Sequence, residues 1–419
     1  MPHLQHPDQG QLDYPLGLRE NAGLFMQQLL QVLLVGMTIG VQRTVLPLIA
    51  ESDFGLAGGS LTLLLSFVVS FGFVKGAMNF LSGQMAGRFG RRPVLIAGWV
   101  FALPIPFILY FAPSWGWIVA ANVLLGINQG FAWSMTVTAK HDIVPSAQRG
   151  LATGINEFAG YGGVAIAGFL TGWLASDFDP RMTLVLFNAV VVAAGLVTAL
   201  AFFGETRHFA HQTAAATGAK PLSGWQAFAM VTWRDKRFMA LSQAGSVEKF
   251  VDVALWTLVP VYLNAQGASL IEIGLITGIY AGVWGASQLW TGPLSDRIGR
   301  RGPALAGMFL SGLALLGFAL FQSLTAWAIT AALTGIGMAL LYPTLIAAVG
   351  DLSDPVWRSS SLGVYRFWRD LGYGIGALVI GATADVATNV VAGFWLVALA
   401  MVASGVWLAI AYQEPARRD

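Results

Sequence analysis

Apolar residues in this chain gather in long runs, with neither the strict alternation of a strand nor the single apolar stripe of a surface helix. Each run approaches the roughly 20 residues that a membrane-crossing helix needs. The runs and their polar breaks predict spans near 23–50, 58–82, 94–112, 117–139, 151–174 and 182–203. A second set follows near 238–262, 270–291, 303–322, 325–349, 361–383 and 391–412. The pattern predicts an all-α integral membrane protein with twelve spans. The break at 204–237 is the longest and most polar, so it reads as a linker between two six-helix bundles, 23–203 and 238–412, flanked by tails 1–22 and 413–419. Within the linker, "SGWQAFAM" fits either a short helix at the membrane surface or a flexible loop.

Composition sharpens this picture. Charged residues are 11% of the chain and hydrophobic ones 56%, whereas a soluble domain carries about 25% charged residues. A net charge of +2, dispersed over short loops, gives no basic face for nucleic acid. With no cysteine, disulfides and thiolate metal sites are excluded. The polar first twenty residues lack the pattern of a cleaved secretory signal. Lysine and arginine fall in one alternating set of loops, among them Arg88, Arg91, Arg92, Lys140, Arg149, Arg207, Arg297, Arg300, Arg301 and Arg358. The other set holds only Arg181, beside Glu51, Asp53, Asp177, Asp179 and Asp385. Charge asymmetry of this kind predicts both termini on the cytoplasmic side of the cell (inner) membrane.

The chain also repeats itself. At a constant offset of 209 residues, Gly83 falls on Gly292, Arg88 on Arg297, Gly90 on Gly299, and Arg91-Arg92 on Arg300-Arg301. The register continues without gaps through Gly126 and Gly335, Asp142 and Asp351, Arg149 and Arg358, and Gly163 and Gly372. Matches at charged loop positions and glycines are not what chance gives between apolar stretches. The halves are therefore pseudo-symmetric copies of one bundle.

Two six-span halves with a basic loop after the second span of each resemble the major facilitator superfamily. Gly292, Asp296, Arg297, Gly299, Arg300 and Arg301 match its loop motif fully; Gly83, Arg88, Gly90, Arg91 and Arg92 match the first copy, which departs at Gly87. The resemblance implies alternating access, with the halves rocking about a site near the membrane midplane. It also implies that Asp296 latches the start of the fifth span, near Arg149 and Gly150, where the helix dipole favours a negative charge. Gly87 offers nothing comparable, so the latch is expected on one side only. Gly83 and Gly292 are expected where a helix ends and a neighbour packs closely.

Ionisable groups within spans are expensive and mark function. Nine qualify: Arg43, Lys75, Glu157, Glu248, Lys249, Asp252, Arg366, Arg369 and Asp370. Glu248 and Asp252 share a helix face and suit proton coupling; the alternative is static neutralisation by Lys249 or an arginine. Arg366 and Asp370, four apart, form an expected pair that leaves Arg369 a free cation. Glu157 and Arg366 occupy matched positions and suit a gate pair. Arg43, Lys75, Lys249, Arg369 and Asp370 are candidate cavity charges suited to an organic anion, although Arg43 also fits snorkelling and Lys75 a structural pair with Asp370 or Glu157.

No metal-ligand cluster, catalytic constellation or nucleotide loop appears, so no cofactor and no enzyme activity are expected. The expected partners are a small-molecule substrate, protons and membrane lipid, with the chain acting as a monomer. The reading is a secondary transporter, proton-coupled, leaning to export of a drug-like solute or organic anion. The alternatives are an uptake symporter for an organic anion and a non-transporting membrane sensor.

Overall fold

Every apolar run folds as a helix. The computed structural model describes residues 13–56, 61–145, 148–210, 212, 224–353 and 358–414, leaving out among others the side chains of Arg43, Glu51, Arg149 and Arg358. In the first half, α1 is Ala22–Ser52, α2 Leu61–Phe89, α3 Arg91–Phe111, α4 Trp115–Ile143, α5 Arg149–Asp177 and α6 Pro180–Phe202. In the second, α7 covers 236–265, α8 is Leu270–Ile298, α9 Arg301–Leu320, α10 Leu324–Leu352, α11 Arg358–Ala387 and α12 Val391–Ala411. Eleven of the twelve are long and apolar enough to cross a membrane. The exception is α7, where Glu248, Lys249 and Asp252 interrupt the apolar run. Just past Asp252 the same helix widens into a π-helical turn at Ala254–Leu258, a distortion common at functional sites.

Packing follows the repeat. In the first half, α1 lies against α5 and α6, while α2 and α3 lie against α4. In the second, α7 lies against α11 and α12, and α8 and α9 against α10. The halves meet along two seams, α2 on α11 and α5 on α8, which exchange under the same six-helix shift. The α2–α11 seam is tight because it is lined by glycine: a Cβ on Gly72 would sit 2.2 Å from the Gly374 nitrogen.

The halves also touch at both ends of their interface. At the acidic end, the Asp385 carboxylate on α11 accepts from the Leu61 and Thr62 N–H groups at the start of α2. Those N–H groups have no intrahelical acceptor, so a side chain from the opposite half caps the helix. At the basic end, the short linker helix anticipated within "SGWQAFAM" forms at Gly224–Ala229 and continues as a wider turn to Arg234. Its Phe228 packs against Phe80 of α2 and Phe367 of α11, and the Trp368 indole donates to Thr232 at 3.0 Å.

Two expectations need correction here. Helices α2 and α8 do not end at Gly83 and Gly292 but continue to Phe89 and Ile298. A Cβ on Gly83 would meet nothing within 4 Å, so close packing does not explain that glycine. The helices stop instead at Gly90 and Gly299, whose φ values of 98° and 95° lie where a side chain is strained. Lys140 belongs to no loop. It sits in the last turn of α4, completely buried.

Candidate functional site

Lys75 on α2, Glu157 on α5 and Arg366, Arg369 and Asp370 on α11 surround a cavity between the halves. Its volume is about 10 Å³, room for a single water. Trp133, Tyr161, Tyr342 and Tyr373 complete most of the wall. Those five charges sum formally to +1.

Arg369 anchors the second-half side. It donates from Nε to Glu248 Oε1 at 2.7 Å, reaches Asp370 at 3.3 Å, and lies 3.9 Å from the centre of the Tyr342 ring. The expectation that Arg369 is the free cation is therefore reversed. Helix spacing favoured Arg366 as the partner of Asp370, but α7 presents Glu248 to Arg369, and tertiary contact outweighs an i, i+4 preference worth only a few tenths of a kcal/mol. Arg366 lines the cavity with no ion pair within 4 Å among the described residues, and its buried Nε has no hydrogen-bond partner.

Lys249, fully buried, lies 3.7 Å from Glu248, 3.5 Å from Asp252 and 3.5 Å from the Tyr161 hydroxyl. Trp284 and Tyr373 present ring faces to it at 4.7 and 4.9 Å. Asp252 also accepts from the Tyr373 and Tyr280 hydroxyls. Glu248 and Asp252 thus share a lysine, the arrangement the static alternative required. Lys75 lies 3.9 Å from Asp370 and about equally far, 5.3–5.4 Å, from the centres of Phe71, Trp133 and Tyr373. Asn79 donates to the same Asp370 and accepts from Ser134 at 2.7 Å.

Glu157 and Arg366 line the same cavity, yet no ion pair joins them in this conformer. Glu157 Oε1 accepts instead from Asn156 at 2.9 Å, Trp133 at 3.1 Å and Tyr342 at 3.4 Å. Arg43 lies in α1, and its side chain is outside the described residues.

The two basic loops are built alike, down to single hydrogen bonds. Arg91 Nε meets Asp142 at 2.7 Å, and Arg300 Nε meets Asp351 at 2.9 Å. Arg92 donates to the Leu200 carbonyl, and Arg301 to that of Ala409. Glu205 accepts from the Arg91 and Arg92 N–H groups; Glu414, at the same offset of 209, accepts from the Arg300 N–H. Burial pushes the Glu205 carboxyl upward, but N–H donors from Arg91, Arg92, Arg207 and Thr206 outweigh it and hold the group below the usual carboxylate range. These arginines therefore clamp their own bundle. Arg88 and Arg297 lie in the last turns of α2 and α8. Asp296 pairs with Arg300 at 2.6 Å and is half exposed; the Arg149 side chain it was expected to approach lies outside the described residues.

Sequence reasoning missed Lys140, Asn156 and the two capping glutamates. The glutamates carry a usable signal, their shared offset. Lys140 carries a weaker one, lying two residues before the repeated Asp142.

The chain is 24% identical over 360 residues to the uncharacterized MFS-type transporter STM4428 of Salmonella typhimurium, covering 82% of this chain and 85% of that one. It is 30% identical over 274 residues to the probable sulfoacetate transporter SauU of Cupriavidus necator, covering 61% and 60%. The solved structure of the human organic anion transporter MFSD10 superposes with a TM-score of 0.71 at 17% identity, covering 93% of this chain and 99% of that one. Residues 29–247 and 244–419 each match the Major Facilitator Superfamily. With two copies of that pattern spanning the helices and enclosing the charged cavity, the chain belongs to the Major Facilitator Superfamily of membrane transporters.

Proposed function

We propose that this transporter carries a small organic anion together with a proton. The supporting observation is the cavity wall, with three cations against two carboxylates and Arg366 lacking an ionic partner. A buried guanidinium nitrogen without an acceptor is costly, and a carboxylate or sulfonate matches the fork of donors that Arg366 offers. The name of one relative, a probable sulfoacetate transporter, agrees with that chemistry.

Coupling follows from competition. An anion seated on Arg366 approaches Arg369 on the next helical turn, where Glu248 already sits. Drawing Arg369 toward substrate deprives Glu248 of its main partner in a low-dielectric interior. Proton uptake by Glu248 removes the cost of leaving that charge unpaired. Asp252 keeps its tyrosines and Lys249 throughout. Anion and proton then cross together, and the proton gradient sets the direction. The scheme favours the uptake alternative over export.

Purified protein in liposomes, offered labelled sulfoacetate and a panel of small carboxylates and sulfonates, tests this reading. Acid outside should accelerate uptake of at least one anion. Arg366→Gln should raise KM at least about tenfold, the equivalent of one charge-assisted hydrogen bond. Glu248→Gln should lose the response to the gradient while keeping anion exchange. Unchanged KM in the first variant, or intact gradient response in the second, would sink the proposal.

A further inference from the structure

Lys140 is fully buried, and no carboxylate lies within 4 Å of it among the described residues. Its ammonium donates to Asn156 Oδ1 at 2.7 Å and faces the Phe25 ring, whose centre is 5.5 Å away. The other end of the Asn156 amide donates to Glu157 Oε1 at 2.9 Å. A cation on the amide oxygen polarises the group and strengthens the bond made by its N–H. The positive charge of Lys140 thus reaches Glu157 through Asn156 without touching it. Asp142, two residues along the same helix, is engaged by Arg91 at 2.7 Å.

The second half has no such device. At the offset of 209, Lys140 becomes Val349, Asn156 becomes Tyr365 and Glu157 becomes Arg366. The Tyr365 hydroxyl and Arg366 Nε are buried without hydrogen-bond partners among the described residues. One member of the matched pair is held, and the other is left unheld.

We infer that Lys140 and Asn156 form a holding station for Glu157, keeping its carboxylate off Arg366 so that this arginine stays available inside the cavity. Lys140 is a positioning residue, acting on the cavity through Asn156. In its absence Glu157 turns to Arg366, which lines the same cavity with its Nε unsatisfied, and the gate pair forms. The value of this to transport rests on the anion reading, since a carboxylate on Arg366 competes with an anionic substrate.

The first experiment needs no ligand. Glu157→Gln and Arg366→Gln are combined in the full-length purified protein, and melting temperatures are read as a double-mutant cycle. The cycle is repeated in the Lys140→Met background and in the Asn156→Leu background, which cuts the same link from its other end. The two shifts should add in the otherwise native protein and depart from additivity by a few degrees in both backgrounds. Additivity throughout, or coupling already present without the background change, overturns the inference. In liposomes, Lys140→Met should raise the KM for labelled sulfoacetate or whichever panel anion is carried, and adding Glu157→Gln should restore it; a lysine that only supports folding gives no such rescue. Failure of Arg366→Gln to affect transport would remove the anion reading alone, because the melting cycle still decides whether Glu157 is held.

Discussion

The two halves agree at their basic ends and diverge at their centres. Arg91 and Arg300, Asp142 and Asp351, Arg92 and Arg301, and Glu205 and Glu414 make equivalent contacts at equivalent positions. Around the cavity, Lys75 corresponds to Trp284, Tyr161 to Asp370, Ile39 to Glu248 and Gly160 to Arg369. Two matched positions there carry charge, Glu157 with Arg366 and Arg43 with Asp252, and in both the sign is opposite. The difference separates two kinds of constraint. Each bundle has to end its second helix and start its third in the same way, so both copies keep the same clamp. The cavity is shared, so a residue on one side needs a complement on the other and a copy would repel or duplicate it.

The largest effect should come from the half that holds most of the central charge. Arg369→Met leaves Glu248 and Asp370 without their arginine, and loss of one member of a buried pair costs about 3–5 kcal/mol. Its melting temperature should fall further than that of any first-half variant at the cavity, with partial recovery when Glu248→Gln is added. An Arg369→Met protein as stable as Lys75→Met would break the asymmetry claimed for the centre.

The loops predict a smaller contrast in the opposite direction. The Arg91–Asp142 side chains are about 10% exposed, whereas Asp351 is 50% exposed beside Arg300. Arg91→Ala should cost about 2 kcal/mol, the loss of a sheltered charge-assisted pair, and Arg300→Ala about 1 kcal/mol or less. Denaturation of the two variants under one set of conditions checks the ranking; equal losses would show that exposure does not distinguish the copies.

Acid sharpens the comparison at the caps. Because the folded Glu205 carboxyl is held below its usual range, its stabilisation is complete above the unfolded value of about 4.3. It is lost as pH falls through the lower folded value. The stability gap between the native protein and Glu205→Gln should be widest near neutrality and close in acid. A gap that widens on acidification would contradict the N–H cradle.

Least costly is Asp296→Asn, since an exposed i, i+4 pair contributes under about 1 kcal/mol. Its value is diagnostic. Transport lost at native stability would support the one-sided latch expected from the motif, and transport retained would remove it.

Much of this architecture was legible in the chain. Membrane-length apolar runs gave the helices, and the offset of 209 paired the clamps before any contact was known. The seventh span illustrates the limit of hydropathy: Glu248, Lys249 and Asp252 make α7 too polar to pass as a span by composition, yet the repeat required a helix there. Arg369 illustrates the limit of local spacing. Read along α11 alone, Arg366 was the natural partner of Asp370, and the contact that decided otherwise came from Glu248, more than a hundred residues away. Lys140 was assigned to a loop because a lysine near a helix end normally reaches water; the packing of α4 against α1 and α5 removed that option.

The sequence alone determined which segments enter the bilayer, that there are two copies, and which residues carry charge into the interior. The copies follow from the repeat at offset 209; the rest follows from the free energy of transferring each side chain, a quantity that depends on the residue and its near neighbours. Tertiary structure decided which charges neutralise one another, which arginine is left without a partner, and how Glu157 is held. Coulomb energy in a low-dielectric interior depends on distance in space, and helix packing sets those distances, α7 against α11 within one half as much as α2 against α11 and α5 against α8 between the halves.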